Sequence, residues 1–380
     1  MRSLRRVVAA LLLVGLAATG GRATESEGGC LLASGDGAAL AVADCVFTNC
    51  SAATRGGAIA VREGAQLDIA RSNLTRNSAG LGGGAIYATG AVVVLSEVVA
   101  RLNSAADAGG AMKASASNVS LFAVRFENNE ATFSGGAIDI TGGDLEVRDS
   151  VLNSNTVQKA VSNYRGGGAI CAEGTPIRVF GRSELSHNRI AEERTSGTSA
   201  GGAVILNTDA TLLLQGPVTG GVVMEGNYAY CCGGAMYLVF DGSLTAHDNV
   251  TFRENEAGIS TGGAVRFYNN GKAVIHNRVL FDHNEAYHSG GALDFANYGF
   301  LEAYDNVIFD GHHSSYYGGA ISMEAYCVIL LHHNVSIMDN YVYYYGGAIY
   351  MWYSAVLKMW DGVLMEGNIN YYFYGGAGDN

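Results

Sequence analysis

The sequence predicts an all-β fold, a single-stranded parallel β-helix in which a solenoid of about 12–13 coils fills nearly the whole chain. Three observations predict it. The tripeptide Gly-Gly-Ala occurs twelve times, with first glycines at Gly56, Gly83, Gly109, Gly135, Gly167, Gly201, Gly233, Gly262, Gly290, Gly318, Gly346 and Gly375, at spacings of 26 to 34 residues. An Asn keeps step six or seven residues ahead of most of these pairs, three residues after an apolar side chain: Leu74/Asn77, Phe126/Asn129, Met224/Asn227, Phe281/Asn284 and Met365/Asn368 are examples. The composition agrees, with 53 Gly and only 2 Pro in 380 residues. Proline would remove the amide donors that a stacked sheet needs.

Each element of a coil has a mechanical reason. The glycines permit a positive φ at a tight corner and a close approach of the next coil. The third and fifth positions after the first glycine of each pair are apolar, as in Ile59/Val61, Val265/Phe267 and Leu293/Phe295, while the fourth varies through Ala60, Tyr87, Lys113, Asp139, Arg266 and Asp294. That alternation is a strand with one buried face. A second strand precedes each Asn, with Val250, Val279, Val307, Val335 and Val363 at one recurring position. An Asn at the same corner of every coil can bond its amide to the equivalents above and below. Coils stacked at the strand spacing would make a rod of roughly 55–60 Å. Two copies depart from the motif: Cys50 and His312 stand where Asn is expected.

The first residues differ in kind. Arg2, Arg5 and Arg6 precede an apolar run from Val7 to Ala18, and small residues follow to Ala23. This is the layout of a secretory signal peptide over residues 1–23, cleaved after Ala23, with the repeat domain occupying 24–380. An uncleaved anchor is the other reading. The run is too short for a comfortable membrane span, and no later stretch is long enough, so no transmembrane segment is expected in the mature chain. Export makes five Asn-x-Ser/Thr sequons meaningful as possible glycosylation sites: Asn49, Asn73, Asn118, Asn249 and Asn334. Seven cysteines are too few for a disulfide scaffold, and an odd number leaves at least one unpaired or paired with another chain. Cys30, Cys45 and Cys50 crowd the first repeat, where Cys50 is expected to pair with Cys30 or Cys45 as a cap over an otherwise bare edge. Cys231 and Cys232 are adjacent, and at most one of them is expected in a bridge.

The net charge is −12. Nucleic acid is therefore disfavoured as a partner, since phosphate contacts need Lys and Arg. No spacing resembles a zinc site, and neither metal nor cofactor is expected. One recurring column places Asp248, Asn277, Asp305, His333 and Asp361 at equivalent positions, beside His247, His276, Tyr304, His332 and Trp360. Asp305, His333 and Asp361 are the weak candidates for acid–base work; a polar turn stacked on its own equivalents is the simpler account. Arg266 and Asp294 stand one coil apart at outward sites, where a cross-strand ion pair is expected. Tyrosines crowd the late repeats at Tyr287, Tyr316, Tyr317, Tyr343, Tyr344, Tyr345, Tyr371, Tyr372 and Tyr374. Tyr316, Tyr317, Tyr344 and Tyr345 form a candidate binding ladder for sugar faces or protein partners; a stack that only stiffens the turn is the alternative.

Two adjacent coils carry insertions at one corner. Asn155 to Gly167 spans 12 residues and Asn188 to Gly201 spans 13, and the added residues include Gln158, Lys159, Tyr164, Arg165, Glu192, Glu193 and Arg194. Loops on a rigid scaffold often carry function, although tolerated surface insertions would look the same. The chain stops five residues into a repeat, at Asn380, without the polar cap a solenoid normally has, so the C-terminal end is expected to be incomplete or to meet another molecule.

The coupled motifs resemble the passenger repeats of the chlamydial polymorphic outer-membrane proteins, in which GGA[ILV] alternates with FxxN. Phe252–Val265 (FRENEAGISTGGAV) and Phe281–Leu293 (FDHNEAYHSGGAL) carry the resemblance most clearly. It implies a right-handed, pectin-lyase-like winding and a cell-surface role linked to adhesion. No membrane barrel follows the repeats within these 380 residues, so outer-membrane attachment by that family's route is not expected from them. Two functional readings follow. One is a secreted or cell-surface scaffold, adhesin-like or structural, that meets glycans or surface proteins. The other is a polysaccharide-active enzyme, a lyase or epimerase, of the same fold.

Overall fold

A computed structural model describes residues 10–24, 27–159, 165–191 and 200–372. Tyr164, Glu192–Arg194, Tyr374 and the Gly375 repeat lie outside the described residues. Every regular element among the described residues is a β-strand, and they wind into a right-handed parallel solenoid of about twelve turns.

One rung shows the plan. After the glycine pair Gly83-Gly84, strands run over Ile86–Thr89, Val92–Ser96, Val99–Arg101 and Ser104–Ala105. Each pairs in parallel, in register, with its counterpart one rung away, as in Ile86↔Met112 and Leu74↔Ala100. The strands form three sheets of 23, 13 and 13 strands. The largest contains both strands that follow the glycines, because Met112–Phe122 and Ile138–Arg148 run through the corner that divides them elsewhere.

The core is a set of vertical columns. Phe252, Phe281 and Phe309 stack at 4.8 Å between centroids, and Phe267 on Phe295 at 4.4 Å, all fully buried. The glycine pair divides its labour as the sequence suggests. Gly109 has φ +65°, the left-handed region that side chains rarely enter, whereas a Cβ on Gly110 would lie 2.2 Å from the carbonyl oxygen of Gly136 in the next rung. The first glycine makes the corner; the second lets the rungs touch.

Residues 10–24 also form a rung. Ala10–Val14 pairs with Ala39–Ala43, Ala17–Thr19 with Val46–Thr48, and Arg22–Ala23 with Ser51–Ala52. The apolar run of the leader-like segment pairs onto the stack as one more coil. In this arrangement the cysteine-bearing coil is second rather than first. Cys30 and Cys50 are bonded to each other across it, while Cys45 is a buried free thiol that accepts the Leu16 amide at 3.4 Å. Cys171 and Cys327 are also free and buried. Cys231 and Cys232 are joined, contrary to the expectation of at most one in a bridge.

Candidate functional site

The Asn corner is the most regular part of the molecule. Asn77, Asn103, Asn129, Asn155, Asn188, Asn227, Asn255 and Asn284 are all fully buried. In each step the backbone N–H and Nδ2 of one Asn donate to Oδ1 of the next; for Asn103 and Asn129 the distances are 3.1 and 2.9 Å. Nδ2 also donates back to a carbonyl of the preceding rung, as Asn129 does to Ala100 at 2.9 Å. Every amide atom is engaged, which is what burial of so polar a column requires. His312 interrupts the ladder. Its Nδ1 accepts the Asn284 amide at 3.0 Å in place of an Oδ1, and Asn284 Nδ2 keeps only the Phe252 carbonyl. An accepting Nδ1 must be unprotonated, and burial pushes this imidazole pKa down to about 3.

The corner before the glycines is the opposite, variable from rung to rung and exposed in its late part. Four tyrosine pairs stack there or at the next corner: Tyr316–Tyr344 at 5.2 Å, Tyr344–Tyr372 at 5.3 Å, Tyr317–Tyr345 at 5.5 Å and Tyr298–Tyr326 at 5.1 Å. Tyr344 and Tyr345 are each 39% exposed, Tyr372 is 58% exposed, and Tyr316 and Tyr317 are half-buried. Because Tyr344 is flanked on both faces by Tyr316 and Tyr372, its exposed surface is mainly ring edge and hydroxyl. The ladder therefore presents a row of phenol edges rather than the open ring faces on which a sugar would lie. His288 joins it, stacked on Tyr316 at 5.0 Å. A second aromatic column runs through His247, His276, Tyr304, His332 and Trp360, with Tyr304–His332 and His332–Trp360 at 4.1 and 4.2 Å.

The carboxylate column is a turn. Asp248, Asn277 and Asp305 all take positive φ, and Asp305, His333 and Asp361 are exposed. Rung-to-rung contact there is largely through the backbone: Asp305 N–H donates to the His333 carbonyl at 3.1 Å, and His333 Nδ1 meets the Asp361 carbonyl, not its carboxylate, at 2.7 Å. No group of three or more metal-ligating side chains occurs among the described residues. His247 is the one member of the neighbouring column to bond a carboxylate of this turn, at 2.7 Å from Asp248, and that bond holds the Asp248 carboxyl below its ordinary range.

Sequence reasoning missed a third feature. The varying fourth position after the first glycine points outward yet is covered by the corner that precedes the pair. Asp139 is 8% exposed and accepts Ser134 Oγ at 2.6 Å; Lys113 Nζ lies 3.7 Å from it. Arg165 and Lys113 share Asp107, at 2.9 and 3.4 Å. Lys113, Ser134, Asp139, Arg165, Cys171 and Glu173 line a cavity of about 130 Å³ beside the insertion-bearing corners. Burial pushes the Asp139 carboxyl up, opposed by Lys113, and it pushes the Cys171 thiol well up. Five rungs on, Arg266 Nε lies 3.4 Å from Asp294 Oδ2 with the Asp294 side chain fully buried, and burial raises that carboxyl too, against the pull of Arg266. The ion pair expected from spacing is present. The one signal for its burial was the small polar residue just before the glycines, Ser134, Thr261 or Ser289.

Of the sequon residues, Asn49, Asn73, Asn118 and Asn334 are exposed. Asn249 is half-buried, and its amide is held by the Pro217 carbonyl at 2.6 Å and by Arg278 Nε at 2.9 Å. No described helix is long and apolar enough to cross a membrane. No protein-family model matches the sequence, and neither a curated protein nor a solved structure is significantly similar to it.

Proposed function

We propose that the chain is a secreted or cell-surface interaction scaffold of the polymorphic outer-membrane repeat type, with pectin-lyase-like winding, that meets glycans or surface proteins along its late tyrosine-rich corner. The observation that carries this reading is the concentration of exposed, stacked tyrosines on the last rungs, where an ordinary solenoid corner needs only small polar residues. Rigid aromatic side chains with a polar tip give large contact at low ordering cost. Recognition is through hydroxyls and ring edges. Replacing Tyr316, Tyr344 and Tyr345 together by Ala should reduce retention on cells or immobilised glycans while the β circular-dichroism signal is kept. Undiminished retention would sink the reading. Export rests on residues 1–23 acting as a leader; N-terminal sequencing of secreted material should then begin at Thr24.

One observation favours the enzymatic alternative, a polysaccharide lyase or epimerase: Asp139, with its raised carboxyl, beside Lys113 and Arg165 in a cavity. On that reading Asp139→Asn abolishes turnover of uronate polymers while Asp305→Asn and Asp361→Asn leave it intact. On the scaffold reading none of the three proteins, nor the parent, turns such polymers over.

A further inference from the structure

The four stacked tyrosine pairs share a geometry that bears on chemistry as well as on binding. In each, the partners are 28 residues apart and one rung apart, with rings within 5.1 to 5.5 Å and 8° to 21° of parallel. At least one ring of each pair is 39% or more exposed. Parallel in-register pairing fixes the separation of the two backbones on every rung, so the rings have no diffusive search to make. Exposed rings can turn about their side-chain bonds; the buried phenylalanine columns cannot, and they lack the phenol.

We propose that these pairs are oxidative cross-linking sites, at which hydrogen peroxide with a haem peroxidase joins neighbouring rings by a carbon–carbon bond and staples each rung to the next. Each phenol gives up one hydrogen atom, an electron and a proton, from its hydroxyl. The two ring radicals couple at the carbons ortho to oxygen. The hydrogen on each coupled carbon then moves to its own oxygen and restores the phenol. Two hydrogen atoms leave per bond formed, and one hydrogen peroxide takes them up to give two waters.

The proposal is independent of what the corner binds. It predicts cross-links within one molecule, between tyrosines one rung apart. Tyr298, Tyr316, Tyr317 and Tyr372 each stack on Tyr326, Tyr344 or Tyr345, so the combined Tyr326→Phe, Tyr344→Phe and Tyr345→Phe variant removes one phenol from every stacked pair while keeping every ring. The full chain is treated with horseradish-type peroxidase and hydrogen peroxide, the monomer is separated by size, and dityrosine fluorescence and peptide masses are read. Added free tyrosine dimerising in a parallel reaction shows that the oxidant is active. The expected result is monomer fluorescence with cross-linked peptides joining rung-adjacent tyrosines, most of it lost in the variant. Absence of dityrosine from the monomer, bonds formed only between molecules, or an undiminished signal in the variant would each overturn the proposal.

Discussion

The Asn corner and the corner before the glycines are generated by the same repeat, yet they have drifted by very different amounts. At the Asn corner the side chain is fully buried, its amide bonds three neighbours, and from Asn77 to Asn340 a single substitution, His312, is tolerated. At the other corner the equivalent residues pass from Arg55 through Gly82, Ala108 and Ser134 to Tyr317 and Tyr345, a column joined rung to rung in its early, middle and late parts by isolated parallel bridges. Periodicity alone does not constrain a residue. Burial with a hydrogen-bond obligation does, and a corner freed from that obligation is where function can accumulate.

That contrast can be broken at the buried side first. Asn129→Ala removes the acceptor of both the Asn103 amide and Asn103 Nδ2, two buried donors, which at about 1–3 kcal/mol each predicts a loss of roughly 2–6 kcal/mol. Urea unfolding monitored by circular dichroism reads it. Gly110→Ala should follow at about 1–3 kcal/mol or somewhat more, since the added methyl meets backbone rather than a movable side chain.

His312 sharpens the comparison from within. Its folded pKa, about 3, lies below the unfolded value of 6.5, so the unfolded chain binds the extra proton between them. Its contribution to stability is complete above pH 6.5 and is lost as the pH falls toward 3, at up to about 1.4 kcal/mol per pH unit. His312→Asn should remove that part of the slope and, by restoring the amide bond to Asn284 Nδ2, add about 0.5–1.5 kcal/mol at neutral pH. Denaturant midpoints across that pH range test both statements; identical slopes for the two proteins would refute the first. The smallest effect belongs to the exposed corner. Tyr344→Ala should cost only about 0.5–1.5 kcal/mol of stacking while weakening retention on a partner surface. A larger stability loss would make the tyrosine row structural.

The fold was legible because two motifs kept register over the chain, and each reports a backbone necessity: Gly110 a contact distance, Asn129 a set of buried bonds. The site was legible only in part. That Tyr316 and Tyr344 would stand in one row follows from the period; that they would turn their faces to each other and their edges outward does not, because ring orientation depends on χ angles the sequence does not encode locally. The cover over Asp139 and Asp294 was hidden for a related reason. Alternation marks those positions as outward, and only the folded path of Ser134 and Thr261 brings a second layer across them.

The side-chain carbonyls of the Asn ladder all face the preceding rung, from Asn77 accepting the Cys50 amide to Asn368 accepting that of Asn340. The rod is thus a vector. Wherever fraying lays a rung bare, the Asn of one lip offers its Oδ1 and the Asn of the other offers the backbone N–H and Nδ2 that meet it, so at this corner a returning segment finds those bonds in only one sense. Such a directional zipper admits head-to-tail continuation and refuses the reversed one, which gives a long, glycine-rich chain a means of rejecting its own wrong pairings.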